Sequence, residues 1–235
     1  AIDLISDIPG RTTLVLERVH GKNLAERLRE GPFSFEERQR YAEHLFSALT
    51  YLEEQRVTHK DIKPENLTVG DEGLTVIDFS LVGEPPEATV HGTALYRDPA
   101  LVTWGPEADR YAAALCLYEI YVGRHAFDGQ APQPGEDPRL DPQDLDRPAL
   151  VEFFRKALGK TPALRHPSAQ AMRHDFQQAL GQRGSGSPTP LEASLRAADA
   201  PLSLAGLSER ALTVLRRAGL HTQGALVALD EAKIA

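Results

Sequence analysis

The amino-acid sequence predicts an α+β fold, in which a mainly helical unit with small β-hairpins is followed by a small all-α module. Three observations support this prediction. Short apolar, β-branched runs flank tight turns at residues 9–11 and 70–73, which is typical of hairpins. Apolar residues recur at helical spacing over residues 41–52 and again from Leu150. A stretch rich in Gly, Ser and Pro at residues 181–190 predicts a flexible linker before the last module.

Composition and charge exclude several classes of protein. The chain is 41% hydrophobic and 26% charged with a net charge of −8, which is ordinary for a soluble globular protein. This acidic balance argues against a general nucleic-acid or membrane surface and leaves a local basic patch open. The single Cys116 excludes an intrachain disulfide and a cysteine-rich zinc site. The longest apolar stretch, residues 111–122, is too short to cross a bilayer, so we expect a cytoplasmic protein with no membrane contact.

The N-terminal third is predicted to contain one hairpin and two capped helices. The runs at residues 4–8 and 12–19 are separated by Pro9-Gly10-Arg11 and predict the hairpin. Capping boxes begin at Asn23 and Ser34, so a helix is expected to start after each of them. The second helix carries apolar residues on one face and leads to His59; those residues are Tyr41, Leu45, Ala48, Leu49 and Leu52.

A second hairpin is expected to bring four polar residues together. Residues 67–69 and 74–79 flank a Gly-Asp-Glu-Gly turn, which places Asn66 and Asp78 at the open ends of the hairpin. Asp61 and Lys63 come just before it. An amide oxygen and a carboxylate are ligands that Mg²⁺ takes from a protein when substrate phosphates complete its shell. Asp61 would then remain able to accept a hydroxyl proton.

These residues resemble a known catalytic core. The stretch His59-Lys60-Asp61-Ile62-Lys63-Pro64-Glu65-Asn66, followed by Asp78-Phe79-Ser80, resembles the catalytic loop and metal motif of bacterial, eukaryotic-like serine/threonine protein kinases. One motif alone would be compatible with a charged surface loop, but both occur in order across a hairpin. The resemblance implies a protein-kinase-like large lobe that uses ATP and Mg²⁺ on a protein substrate with Ser or Thr. It assigns Asp61 and Lys63 to catalysis, Asn66 and Asp78 to the metal, and His59 to structural support.

The same resemblance covers residues on both sides of the catalytic loop. It places the hinge that contacts adenine at Leu16, Glu17 and Val19, with Leu16 as gatekeeper, and a ribose contact or a simple helix N-cap at Asn23. The segment at residues 92–100 is similar to the family pattern Gly-Thr-x-x-Tyr-x-Ala-Pro-Glu. In that pattern the threonine, here Thr93, bonds the catalytic Asp and Lys.

The helices after this segment also match the family. A helix that is apolar nearly all round is expected from Pro106 to Gly123, and its Asp109 would hold the catalytic-loop backbone or simply face the helix dipole. Amphipathic helices are expected around residues 150–158 and 169–180. Ala100 stands where the family has the glutamate that pairs with the arginine at Arg165. We therefore expect Arg165 to pair with Asp98.

Three departures from the family bear on activity. The 235 residues contain no Gly-x-Gly-x-x-Gly loop, no strand lysine and no partner-helix glutamate, so this fragment is expected to be inactive by itself. Lys60 replaces an arginine and loses the bidentate fork that grips a phosphate. Ser80 replaces a glycine, which would stiffen the metal loop. All four residues assigned to the chemistry are present, which favours an active parent over the alternative, a pseudokinase scaffold with a DNA- or protein-binding tail.

The C-terminal residues predict a separate module. Two helices within residues 202–229 resemble a helix-hairpin-helix and the C-terminal domain of the bacterial RNA polymerase α subunit, which implies a contact with DNA through Arg210 and Arg216 or with a protein. The expected domains are 1–22, the end of a small lobe and the hinge; 23–182, the large lobe; 183–190, the linker; and 191–235, the hairpin module. This order resembles, more loosely, the large kinase component of bacteriophage-exclusion (BREX/Pgl-type) defence systems.

Overall fold

The computed structural model describes residues 3–8, 11–15, 18–82, 93–145 and 147–181. The predictions that concern the hinge residues Leu16 and Glu17 lie outside the described residues. So do those for the linker, the hairpin module and its Arg210 and Arg216.

Two small antiparallel sheets are present in the described residues. The first pairs β1 (Asp3–Ile8) with β2 (Arg11–Val15), as the N-terminal pattern predicted. The second has the order β3-β4-β5, with β3 at Lys22–Asn23, β4 at Leu67–Gly70 and β5 at Gly73–Val76.

The β4-β5 hairpin has the predicted turn and a shorter second strand than its apolar run suggests. Gly70 pairs with Gly73 across the turn, and Leu67 pairs with Val76 at the open end. Gly73 has φ +119 and lies against the His44 imidazole, so a side chain has neither the backbone conformation nor the space it needs there. The strand stops at Val76 because Asp78 takes φ 66 and turns the chain away. Asn66 and Asp78 therefore lie at the open end, as predicted.

Five α-helices lie within the described residues. They are α1 (Leu24–Leu28), α2 (Phe35–Glu54), α3 (Pro106–Val122), α4 (Pro148–Ala157) and α5 (Ala169–Ala179). Short 3₁₀ turns occur at Pro64–Asn66, Ala94–Tyr96 and Pro162–Leu164. Both predicted capping boxes are formed. Ser34 Oγ accepts from the Glu37 backbone amide at 3.2 Å while Glu37 Oε2 accepts from the Ser34 amide at 2.7 Å, which satisfies two backbone donors at the start of α2.

Helix α3 is the centre of the packed core. Thirteen of its 17 residues are buried, which confirms the expectation from its apolar sequence. It packs against α2 and α4 and reaches the Ala94–Tyr96 turn. Cys116 is buried within α3, and burial raises the pKa of its thiol, so the thiol is held in the unreactive neutral form. Among the described residues, no helix combines the length and apolarity needed to cross a membrane.

Candidate active site

One buried carboxylate, that of Asp109, holds the backbone of the loop at residues 59–63. Asp109, in the first turn of α3, accepts the backbone amides of His59 at 2.6 Å and Lys60 at 2.9 Å. Burial raises the pKa of Asp109 to about 7, and the two amide donors oppose that shift by favouring the ionised form. Lys60 has φ 70, so the loop makes a sharp turn where the carboxylate holds it. The structure thus brings Asp109 to the loop backbone, the position that the resemblance implied.

His59 connects this loop to the segment after β5. Its Nε2–H donates to the Ile77 carbonyl at 3.0 Å, and its Nδ1 accepts from the Asp61 amide at 3.3 Å. Its ring also meets the Phe79 ring edge-on, 4.7 Å between centroids. Burial lowers the pKa of His59, and a neutral imidazole has the one donor and one acceptor that these contacts require. His59 therefore supports both the Asp61 backbone and the segment that carries Asp78.

The Asp61 carboxylate is held by three donors, two from its own loop and one from Thr93. Its Oδ2 lies 2.6 Å from Lys63 Nζ and accepts from Asn66 Nδ2 at 2.9 Å. Its Oδ1 accepts from the Thr93 amide at 3.3 Å. Two carboxylate oxygens offer about four lone-pair positions, so an acceptor position remains for a further donor. This carboxylate is therefore oriented in advance and still able to receive a hydroxyl proton.

Thr93 joins the second half of this arrangement. Lys63 Nζ donates to Thr93 Oγ1 at 2.9 Å, so the ammonium group lies between the threonine hydroxyl and the Asp61 carboxylate. These contacts are the ones that the family pattern implies for its threonine. They bring together residues 30 positions apart in the chain.

Asn66 and Asp78 supply oxygens of the kind a divalent cation uses. Asn66 directs Nδ2 to the Asp61 carbonyl at 2.8 Å and to Asp61 Oδ2, which leaves its amide oxygen on the opposite side of the group. Asp78 stands in the left-handed backbone region, and its Oδ1 accepts from the Ser80 amide at 3.4 Å. Within the described residues, no group of three or more His, Cys, Asp or Glu could hold a metal alone. An Asn and an Asp fit a Mg²⁺ that takes its other ligands from phosphates and water.

On the nucleotide side, two of the predicted residues lie within the described part of the chain. Val19 is half-buried, and Asn23 pairs with Thr68 across β3 and β4 beside the catalytic hairpin. The Asn23 side chain accepts from the Glu26 amide at 2.8 Å, so it is the N-cap of α1. A ribose contact by Asn23 stays a prediction.

Arg165 has the partner that the sequence suggested in place of the missing glutamate. Its guanidinium forms a bidentate pair with the Asp98 carboxylate, with NH2 to Oδ1 at 3.1 Å, and its Nε donates to the Gly159 carbonyl at 2.6 Å. Arg165 also lies over the Tyr111 ring, 4.7 Å from its centroid. Both charged side chains are almost fully buried, so the pair fastens the segment before α3 to the segment before α5.

Sequence reasoning missed the contacts that three residues make beside this site. The Tyr96 hydroxyl donates to Glu119 Oε1 at 2.8 Å, and His125 Nε2 bonds the Leu95 carbonyl at 3.1 Å. Glu119 carried a usable signal, because a single carboxylate inside an otherwise apolar helix has to find a partner. Tyr96 matched the tyrosine of the family pattern without any indication of its partner. Nothing local in the sequence indicates what a histidine after a helix, here His125, will contact.

Comparison with known proteins identifies the family to which this fold belongs. The chain belongs to the protein kinase domain family, which it matches over residues 2–177. It is 31% identical to the probable kinase PglW of Streptomyces coelicolor over 74% of this chain and 13% of that protein. It is 31% identical to Aurora kinase B of Danio rerio, over 74% of this chain and 58% of the relative. A probable serine/threonine-protein kinase of Corynebacterium efficiens is 30% identical over 70% of this chain and 29% of its own length.

Proposed function

We propose that the complete protein is a serine/threonine protein kinase that transfers the γ-phosphoryl group of ATP to a Ser or Thr hydroxyl of a protein. The observation that carries this proposal is the Asp61 carboxylate, oriented by Lys63, Asn66 and Thr93 together. The match to a protein called a probable serine/threonine-protein kinase supports the choice of acceptor. So does Thr93, because in the family that residues 92–100 resemble, the threonine that bonds the catalytic Asp and Lys favours Ser or Thr substrates.

In this proposal each residue of the cluster has one task. Asp61 accepts the proton of the acceptor Ser or Thr hydroxyl. The oxygen of that hydroxyl attacks the γ-phosphorus of ATP, and the bond between the γ-phosphorus and the bridging oxygen, which leaves with ADP, breaks. Lys63 offsets negative charge on the transferred group. Asn66 and Asp78 would hold Mg²⁺, which neutralises charge on the phosphates when bound. His59 and Asp109 keep the loop backbone in place, and Thr93 limits the orientations open to Asp61 and Lys63.

The activity belongs to the complete protein in this proposal. The chain spans between 13% and 58% of the length of the two relatives that head the comparison. A Gly-rich loop and a strand lysine, which the family uses to cover and hold the phosphates, are not among these 235 residues. The chain by itself is therefore proposed to be inactive.

Phosphotransfer from labelled ATP by the complete protein tests the proposal. We expect label on Ser or Thr only with Mg²⁺, and a loss of at least a hundredfold, roughly, in the Asp61→Asn and Asp78→Ala variants. Asp137→Asn is the matched control, because this aspartate is 69% exposed and pairs only at the surface with Lys160. A complete protein that binds ATP but transfers no label, with all variants folded, would favour the pseudokinase scaffold.

Two finer proposals concern the setting of the kinase. We infer that the protein is cytoplasmic, because its longest apolar stretch, residues 111–122, is too short to cross a bilayer. We also infer that it acts in a bacteriophage-exclusion system, from the order of its two predicted modules and its similarity to the probable kinase PglW. Asp61→Asn in the native locus should then raise phage plaquing efficiency; unchanged plaquing would contradict a role in phage exclusion.

For residues 202–229 we infer contact with DNA or a protein, with Arg210 and Arg216 as the DNA contacts. DNA binding through these arginines should weaken as the salt concentration rises. If DNA binding is absent or does not depend on salt, contact with a protein is the remaining proposal for residues 202–229.

A further inference from the structure

The three-residue turn Ala94–Tyr96 connects Thr93 to the rest of the domain. Its internal hydrogen bonds are the Tyr96 amide to the Thr93 carbonyl at 3.0 Å and the Arg97 amide to the Ala94 carbonyl at 3.4 Å. A single 3₁₀ turn with such bonds has little stability of its own. Thr93 contacts Asp61 and Lys63 directly, so whatever fixes this turn also fixes Thr93 against the proposed base.

Two side chains from the end of α3 and the loop after it hold the turn. Glu119 accepts a hydrogen bond from the Tyr96 hydroxyl and so holds the Tyr96 side chain. His125 donates to the Leu95 carbonyl and so holds the backbone of the turn. The Tyr96 and His125 rings pack edge to face with centroids 5.4 Å apart. Leu95, Tyr96 and His125 line one groove together with Pro64 of the catalytic loop.

The His125 ring is itself held in one tautomer. Its Nδ1 accepts from the Phe127 amide at 3.2 Å, so the proton is on Nε2, which faces the Leu95 carbonyl at 3.1 Å. Burial lowers the pKa of His125, and a second proton on Nδ1 would face the Phe127 amide donor. The His125 side chain is thus a neutral donor of fixed direction. The Phe127 amide holds its Nδ1, and its Nε2–H points to the Leu95 carbonyl of the turn.

We propose that His125 is a positioning residue for phosphotransfer: its Nε2–H fixes the Leu95 carbonyl and thereby sets Thr93 against Asp61 and Lys63. The inference rests on the proposed function for its kinetic consequence and on the backbone contact for its structural one. His125 lies outside the cluster that would hold ATP and Mg²⁺. Its effect should therefore fall on the transfer step and on the protein acceptor, and leave the KM for ATP unchanged.

Two substitutions separate the hydrogen bond from the bulk of the ring. In His125→Gln the amide nitrogen can occupy the place of Nε2 and donate to Leu95. In His125→Asn the shorter amide can reach only the place of Nδ1, so it can keep the Phe127 contact but loses the Leu95 contact. We expect kcat to fall about tenfold in His125→Asn, the rate equivalent of losing one buried hydrogen bond, and to be largely retained in His125→Gln.

The test combines kinetics of the complete protein with hydrogen exchange at the turn. Exchange of the Tyr96 and Arg97 amides should be faster in His125→Asn than in His125→Gln, while exchange in α3 stays the same in both. Equal exchange at the turn in the two variants, or an equal loss of kcat in both, would overturn the proposal. A complete wild-type protein without phosphotransfer would contradict the proposed function, and the exchange measurement would still decide whether His125 holds the turn.

Discussion

At the scale of single residues, Glu119 is a carboxylate whose burial should be visible in the pH dependence of stability. It lies in the core helix α3, and burial raises its pKa from 4.5 to about 7, against the opposing effect of the Tyr96 hydroxyl that donates to it. A raised pKa means that the folded chain binds more protons than the unfolded chain between these two values. The contribution of Glu119 to stability is therefore complete below about pH 4.5 and is lost as the pH rises through 7.

We predict that Glu119→Gln removes this dependence. The glutamine keeps an acceptor for the Tyr96 hydroxyl and cannot ionise, so the variant should gain stability relative to the wild type as the pH rises. The gain should be of order 2 kcal/mol by pH 8, measured as the difference in the free energy of urea unfolding at each pH. Other titrating groups are common to both chains and cancel. A difference that stays constant from pH 4 to pH 8 would show that Glu119 is not shifted.

At the scale of elements, the buried pair of Asp98 and Arg165 joins the segment that precedes α3 to the segment that precedes α5. The side chains are 1% and 7% exposed, so removal of one partner would leave an uncompensated charge in the core. In the family the corresponding partner of the arginine is a glutamate, and Ala100 occupies its position here. Asp98, two residues earlier, has taken over the contact.

We predict that Asp98→Ala destabilises the domain by about 3–5 kcal/mol and that adding Ala100→Glu restores a large part of the loss. The restoring carboxylate would come from the position that the family uses, with one more methylene to reach the guanidinium. Urea unfolding of the two variants and of Ala100→Glu alone measures the coupling. Ala100→Glu alone should not stabilise the chain, because Arg165 is already paired. Failure of the double variant to recover any stability would show that the Asp98 backbone position is itself required.

The sequence predicted the elements whose signals are local. The β4-β5 hairpin follows from its Gly-Asp-Glu-Gly turn, the starts of α1 and α2 from their capping boxes, and the burial of α3 from its apolar sequence. The position of Asn66 next to Asp78 followed from the hairpin. The end of β5 did not, because the apolar run continues to Phe79 while the positive φ of Asp78 ends the pairing.

The contacts that complete the site were not predictable from local patterns. His125 and Leu95 are 30 residues apart, and Tyr96 and Glu119 are 23 apart, so only the packing of the whole domain decides that they meet. Thr93 was placed by resemblance and not by spacing. The pairing of Arg165 with Asp98 was inferred from a missing partner, which shows that a departure from a family pattern carries structural information when the remaining charge has to be buried.

At the scale of the whole molecule, α5 is the last helix that packs into the core of the described residues. Phe176 packs its ring against the rings of Phe46, Tyr121 and Phe153, and thereby joins α2, α3 and α4. Leu180 is buried just after α5, and the Leu180 carbonyl accepts a hydrogen bond from Arg147. These contacts bear on the domain boundary proposed at residue 182, because an independent unit should contain its whole core.

We predict that a chain ending at Gly181 keeps the unfolding free energy of the full chain to within about 0.5 kcal/mol, because the two units would share few contacts. A chain ending at Ser168 is the matched control. It loses α5, and with Met172 and Phe176 it loses roughly 1.5–3 kcal/mol of apolar burial per side chain, so we expect it to have no cooperative transition. Urea unfolding followed by circular dichroism measures all three chains. A clear fall in midpoint for the chain ending at Gly181 would mean that residues 182–235 pack on the kinase domain, and the two-unit division would then have to be given up.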